Sequence, residues 1–149
     1  MRTLRSGGRE RYLLLHVPTD VTERPDLIIA FHALSSSPRL MEAMTQLSSR
    51  ADELGFIVSY PEGIRSATSG ITSWSARFCC RDAKNEGVDN VLFISDLIDA
   101  LRDDYNVSRV LVTGFSNGGM LAHVDEVGDE EDIVDAFVLG VAAAEAGVP

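Results

Sequence analysis

The stretch most able to carry chemistry is Gly-Phe-Ser-Asn-Gly, residues 114–118. An apolar, β-branched segment precedes it, and a Met-, Leu- and Ala-bearing segment follows. A strand that turns sharply into a helix, with small residues on both sides of a serine, exposes the hydroxyl for nucleophilic attack. Gly114 and Gly118 would be those small residues. Ser116 is therefore a candidate nucleophile, and a serine in an ordinary tight turn is the alternative.

A serine nucleophile needs a base at neutral pH, and the chain contains three histidines. His123 follows Ser116 by seven residues, so on a shared helix it lies about 10 Å further along the axis and cannot easily reach back. His16 falls in the first predicted strand, where we expect a half-exposed polar position. His32 ends another predicted strand close to the serine turn.

The segments around these residues alternate between strand and helix patterns. Apolar runs bounded by turn residues predict strands at 11–18, 27–33, 56–61 and 109–115. Apolar residues at spacings of three and four predict a helix ended by Gly55, with a buried stripe of Leu40, Met44, Leu47, Ala51 and Leu54. A second helix follows over 91–101, capped by Asp89. This order predicts a doubly wound, mostly parallel α/β sheet with Ser116 at the carboxyl end of a central strand, where such sheets bind ligands.

Residues 64–87 are rich in Ser, Thr and Gly without sustained periodicity, which predicts a long loop. Long ordered loops are often functional, so Trp74 within it is a candidate wall of a binding site. Cys79 and Cys80 are adjacent and are the only cysteines. Because neighbouring cysteines rarely bond to each other, we interpret them as small apolar loop residues and expect no zinc site.

Composition narrows the class of protein further. A length of 149 residues, with 45% hydrophobic and 24% charged residues, fits a single globular domain over 1–149. The net charge of −10 repels phosphate backbones and anionic membranes, so we expect neither nucleic acid nor membrane as a partner. The first apolar run is interrupted by His16 and Pro18, unlike a secretory segment. The sequence "SGGRE" (6–10) reads as a flexible lead-in and not as a phosphate-binding loop, and no cofactor is expected.

Five segments in order resemble the polyhydroxybutyrate depolymerase and feruloyl esterase group of α/β-hydrolases. They are "RYLLLHVP" (11–18), "LIIAFHALSSSP" (27–38), "ADELGFIVSYPEG" (51–63), "SWSARFCC" (73–80) and the run from Gly87 to Met120. The resemblance implies an α/β-hydrolase domain that cleaves carboxylic esters, small or polymeric, with polyhydroxyalkanoate, feruloyl and acetyl esters as substrate classes. The group is often secreted, although no secretory segment is visible here.

The resemblance also implies roles for individual residues. Ser116 matches the nucleophile, which forms an acyl-enzyme that water then cleaves. The N–H of Asn117 would be one oxyanion donor, and we assign the second to the N–H of Leu34. The group commonly has His-Gly where this chain has His32 and Ala33, which questions the loop conformation because glycine reaches backbone angles that alanine reaches only at a cost.

Two further residues take their interpretation from the group. Trp74 matches a tryptophan upstream of the cysteine pair and is predicted to contact the acyl or alcohol part of the substrate. The counterpart of His32 is structural.

In α/β-hydrolases the acid and then the histidine follow the serine. No histidine follows His123, and the acids after the serine turn read as a solvated segment, so none is assigned: Asp125, Asp129, Asp132 and Asp135. The tail favours one more strand, Ala136 to Ala143, over a helix, because otherwise strand 109–115 would be a bare sheet edge. We therefore expect the N-terminal portion of the domain, truncated after the serine turn and one further strand.

Two hypotheses follow. The chain is a serine ester hydrolase whose base comes from elsewhere, for example from a partner chain. Alternatively it is a catalytically inactive remnant that folds through self-association, as a homo-oligomer paired at the exposed sheet edge, or through a partner chain. The two hypotheses differ in whether Ser116 is reactive.

Overall fold

The computed structural model describes residues 1–75 and 87–122, together with the backbone of 133–139. In this part of the chain one sheet has six strands in the order β1-β2-β4-β3-β7-β8. Their bounds are β1 (Arg2–Ser6), β2 (Arg9–His16), β3 (Leu27–Phe31), β4 (Ile57–Pro61), β7 (Val110–Phe115) and β8 (Ile133–Leu139). The first two strands are antiparallel to their neighbours, whereas β4, β3, β7 and β8 are mutually parallel. The predicted mostly parallel α/β sheet is confirmed.

Helices pack on both faces of the sheet. They are α1 (Pro38–Thr45), α2 (Leu47–Leu54), α3 (Asn90–Tyr105) and α4 (Asn117–Ala122). Alternate residues of β3 point to opposite faces, so Ile29 and Phe31 join a cluster with α3, while Ala30 joins a cluster with α1 and α2. Fully burying an aliphatic or aromatic side chain of this size contributes about 1.5–3 kcal/mol. Helices therefore pack on both faces of β3, the strand next to the serine turn.

The helix before the serine strand agrees with its sequence pattern. The side chain of Asp89 accepts a hydrogen bond from the Leu92 N–H at 2.9 Å, which caps α3 as predicted. The helix buries a continuous apolar face formed by Phe93, Ile94, Leu97, Ile98 and Leu101. The predicted apolar positions Ile94, Ile98 and Leu101 therefore lie on the buried face of the helix.

The first predicted helix is in fact two helices. Gln46 has a left-handed backbone, with φ at 53°, and it both ends α1 and begins α2. A left-handed residue resets the helix phase, so one stripe cannot run through both helices. Three positions of the predicted stripe are exposed, which corrects it: Leu40 (60%), Met44 (51%) and Leu54 (71%). Ala51 is buried, as is Met41 outside the stripe, and Gly55 ends α2 as predicted.

Two segments predicted to lack regular structure are ordered by strand pairing. The predicted flexible lead-in (6–10) is the turn of a hairpin: β1 ends at Ser6, Gly7 and Gly8 have φ values of 54° and 75°, and β2 begins at Arg9. Positive φ at both residues suits a tight hairpin, which the Gly-Gly pair permits. Within the predicted long loop, β5 (Ile64–Arg65) and β6 (Thr72–Ser73) form a short antiparallel pair. Residues 76–86, including both cysteines, lie outside the described part.

The strand predicted at Ala136 to Ala143 is present as β8, which begins at Ile133. It pairs in parallel with β7, so β7 is an interior strand of the sheet. Residues 140–143 lie outside the described part. Among the described helices, none is long and apolar enough to span a membrane.

Candidate active site

Ser116 lies in the turn between β7 and α4, at the carboxyl end of an interior parallel strand. Its φ is 52°, in the left-handed region that non-glycine residues rarely adopt. The residue is exposed, and its carbonyl accepts a hydrogen bond from the Met120 N–H at 2.9 Å as the helix begins. This strained turn presents the serine at the carboxyl ends of the parallel strands, where parallel α/β proteins bind ligands.

Two glycines allow this turn to pack without intervening side chains. A Cβ on Gly114 would lie 2.4 Å from the carbonyl carbon and oxygen of Gly118. A Cβ on Gly118 would lie 2.3 Å from the carbonyl oxygen of Phe31 and 2.5 Å from that of His32. Because neither glycine has a positive φ, what these positions require is close approach of the backbone. The turn therefore rests directly on the end of β3.

His32 follows β3 and is fully buried. Its Nδ1 lies 2.7 Å from the carbonyl oxygen of Ala33, and its Nε2 accepts a hydrogen bond from the Gly63 N–H at 3.0 Å. Since a carbonyl oxygen can only accept, Nδ1 carries the proton. Burial lowers the pKa of His32, which favours the neutral ring. Both ring nitrogens of His32 are thus hydrogen-bonded to backbone groups, and the ring has a structural role.

The loop after β3 adopts a conformation that alanine tolerates. The left-handed residue in this loop is Ser35, with φ at 58°, and Ala33 has no positive φ. Replacement of the group's usual glycine by Ala33 therefore adds no left-handed strain. The Ser35 N–H donates to the carbonyl of Thr72 at 2.8 Å. Among the hydrogen bonds of the described residues, none uses the Leu34 N–H, and Leu34 is 46% exposed.

Asn117 is the first residue of α4, and its side chain is buried. Its Oδ1 accepts a hydrogen bond from the Trp74 N–H at 2.8 Å, and its Nδ2 donates to the Trp74 carbonyl at 3.1 Å. From the sequence, a role was predicted only for the backbone N–H of Asn117, and this side-chain pairing was not predicted. Asparagine is a poor helix former because its side-chain amide competes for backbone hydrogen bonds. Its position at the start of a short helix was therefore the sequence signal for a side-chain hydrogen bond to backbone.

Trp74 lies behind the serine turn with no accessible surface. Its indole N–H donates to the His32 carbonyl at 3.0 Å, and its ring meets Phe31 edge-on with centroids 5.3 Å apart. These contacts tie the β6 segment to the end of β3. The predicted contact between Trp74 and substrate is untested and stays a prediction.

A cleft of about 480 Å³ opens at the carboxyl end of β4. It is lined by residues 9–12 and 62–65, and not by Ser116. Arg11 is buried in its wall, where desolvation and, secondarily, the charge of Arg9 lower the Arg11 pKa to about 10. Since β4 and β3 lie between β2 and β7, this cleft is separate from the serine turn.

The other candidate groups are distributed as follows. His16 is hydrogen-bonded to Asp52, with Nε2 and Oδ1 2.8 Å apart. His123, Asp125, Asp129 and Asp132 lie outside the described residues, and Asp135 belongs to β8, of which only the backbone is described. In the described part, no group of three or more His, Cys, Asp or Glu residues could hold a metal ion.

Several known esterases are similar to this chain in sequence, although no protein-family model matches it. Acetylxylan esterase A of Emericella nidulans is 30% identical over 137 residues, which cover 91% of this chain and 41% of that protein. Feruloyl esterase B of Thermothelomyces thermophilus is 29% identical over 126 residues, covering 83% and 41%. The bifunctional acetylxylan esterase/xylanase XynS20E of Neocallimastix patriciarum is 26% identical over 121 residues, covering 80% and 16%.

Solved structures show the same fold. The acetyl xylan esterase from Aspergillus awamori superposes with a TM-score of 0.63 at 22% identity, over 81% of this chain and 43% of that one. Est1E from Butyrivibrio proteoclasticus, solved with ferulic acid, gives a TM-score of 0.61 at 13% identity, over 89% and 49%. The chain spans less than half the length of each of these relatives. Over most of its length the chain is thus similar in sequence to acetylxylan and feruloyl esterases, and it has the α/β-hydrolase fold of the solved esterases.

Proposed function

We propose that this chain supplies the nucleophile and the oxyanion-binding groups of a carboxylic ester hydrolase. The observation that carries the proposal is the geometry of Ser116: an exposed hydroxyl on a left-handed turn between an interior parallel strand and a helix. The tight packing of Gly118 on β3 supports it, because it brings this turn against the loop that contains Leu34. A nucleophile elbow has these features.

The reaction proceeds in two steps. The Ser116 Oγ gives its proton to a general base and attacks the ester carbonyl carbon, and the tetrahedral intermediate then expels the alcohol, which takes up that proton. Water adds to the resulting acyl-serine in the same way, and the carboxylic acid leaves as Ser116 is restored. The backbone N–H groups of Asn117 and Leu34 stabilise the negative oxygen formed in each step. Loss of one such donor costs about 10²–10³-fold in rate.

The base comes from outside the described residues. His32 uses both ring nitrogens in backbone hydrogen bonds, and His16 is paired with Asp52. A base from elsewhere, for example a histidine of a partner chain, therefore completes the site. Acetyl or feruloyl esters are the proposed substrates, since relatives are named for these esters. Polyhydroxyalkanoate esters are the further class that the sequence resemblance implies.

A catalytically inactive remnant is the second candidate. The observation in its favour is that both described histidines are engaged elsewhere. In that case the serine turn is structural, and β8, at the edge of the described sheet, pairs with a second copy or with a partner chain.

Hydrolysis of 4-nitrophenyl acetate and methyl ferulate separates the two candidates. We expect slow hydrolysis by the isolated chain that disappears in Ser116→Ala and persists in the control Ser49→Ala, which changes an exposed serine of α2. Hydrolysis that survives Ser116→Ala contradicts the nucleophile assignment. A folded chain without any hydrolysis favours the remnant.

A further inference from the structure

We propose that the Asn117 side chain and Trp74 form a positioning unit, the Asn117–Trp74 brace, that aligns the two oxyanion donors at Ser116. The inference rests on the proposed function, because it assigns a task within the same ester-cleaving site. The brace acts through the backbone groups that its side chains hold.

The first contact of the brace joins α4 to the segment after β6. The Asn117 carboxamide pairs reciprocally with the backbone of Trp74, accepting from its N–H at 2.8 Å and donating to its carbonyl at 3.1 Å. Asn117 is 2% exposed and Trp74 has no exposed surface. Hydrogen bonds in such a dry environment are stronger than in water, and an unpaired buried group is costly. The pair therefore fixes Asn117 firmly relative to Trp74.

The second set of contacts joins the same segment to the loop of Leu34. The Trp74 indole N–H donates to the carbonyl of His32 at 3.0 Å. Two residues earlier in that segment, the carbonyl of Thr72 accepts from the Ser35 N–H at 2.8 Å. Leu34 lies between His32 and Ser35, so the Thr72–Trp74 segment holds the chain on both sides of the Leu34 N–H.

One hydrogen-bonded unit thus fixes both donors relative to each other. The Asn117 side chain holds the segment 72–74, and that segment holds the Leu34 loop. Oxyanion donors must point at one oxygen at 2.7–3.1 Å, and small displacements reduce catalysis strongly. Removal of the Asn117 carboxamide leaves both N–H groups in place but loosens their alignment. Reactivity then falls without a matching loss of reagent binding.

The test measures phosphonylation of Ser116 by a fluorophosphonate, followed by intact mass over time at several reagent concentrations. Asn117→Ala keeps the backbone N–H and removes the brace. The matched control is Asn90→Ala, since Asn90 is also buried and its side chain contacts the Ser75 carbonyl at 3.5 Å but not the serine turn. We expect Asn117→Ala to lower the maximal labelling rate roughly 10- to 100-fold with half-saturation unchanged, and Asn90→Ala to change it less than about threefold.

A conservative variant provides the rescue. The carboxyl introduced by Asn117→Asp accepts from the Trp74 N–H, but it donates to the Trp74 carbonyl only when protonated. Its labelling rate, divided by that of the wild type at the same pH, should therefore rise as the pH falls. Emission from Trp74, the single tryptophan of the chain, reports whether each variant retains the buried indole.

The outcomes are distinct. Slower labelling in Asn117→Ala alone, with pH-dependent recovery in Asn117→Asp, supports the brace. Equal rates in wild type and Asn117→Ala, or equal losses in Asn117→Ala and Asn90→Ala, overturn the brace and leave the proposed function standing. A folded wild-type chain that takes no adduct overturns the proposed function, and the inference with it.

Discussion

Ser116 is exposed and has a left-handed backbone. The left-handed backbone lowers the free energy of unfolding. A left-handed non-glycine residue costs roughly 1–2 kcal/mol, which glycine avoids. We predict that Ser116→Gly has a free energy of unfolding about 1 kcal/mol higher than Ser116→Ala, because both lose the hydroxyl and only glycine relieves the strain. Urea denaturation measures the difference. Equal stability of the two variants would show that the turn carries no strain.

His32 makes the stability of the fold depend on pH. Burial lowers its pKa below the ordinary value of 6.5, so the folded ring stays neutral where the unfolded ring takes up a proton. The unfolded state then binds more protons, and the free energy of unfolding falls as the pH drops below 6.5, by up to about 1.4 kcal/mol per pH unit. Above that pH the contribution of the neutral ring is fully present.

The pH prediction is checked by urea unfolding between about pH 5 and pH 8. We expect His32→Gln to have a flatter dependence than the wild type. The matched control is His16→Gln, which removes the histidine paired with Asp52 and should keep the slope that His32 causes. A slope unchanged by His32→Gln would rule out a neutral, buried His32 as its source.

At the scale of elements, the contact of α4 with β3 leaves no room for a side chain. A methyl group on Gly118 would lie 2.3 Å from the Phe31 carbonyl oxygen, so Gly118→Ala must separate the two elements. We predict a loss of about 3 kcal/mol or more in the free energy of unfolding. Gly8→Ala is the control, because a Cβ there meets no atom within 4 Å and only its φ of 75° opposes alanine.

For Gly8→Ala we expect a loss of about 1 kcal/mol. Thermal or urea unfolding of both variants measures the contrast. If Gly118→Ala were no less stable than Gly8→Ala, the close contact between the serine turn and β3 would be wrong.

The elements themselves were predictable where one pattern dominated. The apolar strands follow from continuous apolar runs between turn residues, and α3 follows from helical spacing and the cap at Asp89. The break at Gln46 was not predictable, because the spacing of apolar residues continues across it while the backbone turns left-handed for one residue. β1 was not predicted, because Leu4 is its one apolar residue and the segment therefore contains no apolar run.

The site was predictable only in part for a similar reason. The position of Ser116 on a strand-to-helix turn follows from local spacing, and the resemblance suggested Asn117 and Leu34 as donors. The pairing of Asn117 with Trp74 joins residues 43 positions apart. Such a contact depends on how the segment after β6 folds back across β3, which no local pattern encodes. The role of Gly118 against the Phe31 carbonyl is likewise set by packing.

The described sheet brings the serine turn and the loop after β3 together at the carboxyl ends of two adjacent parallel strands. The chain covers 41% of acetylxylan esterase A of Emericella nidulans, and the described histidines are engaged in other contacts. We therefore propose that the described residues supply the nucleophile and the oxyanion donors, and that the base comes from beyond them. This proposal requires Ser116 to be reactive in the folded chain.

Labelling with a fluorophosphonate, read by intact mass with Ser116→Ala alongside, measures that reactivity. We predict a single phosphonyl adduct on the wild-type chain and none on Ser116→Ala. A folded wild-type chain without adduct, or an equal adduct on Ser116→Ala, would contradict it.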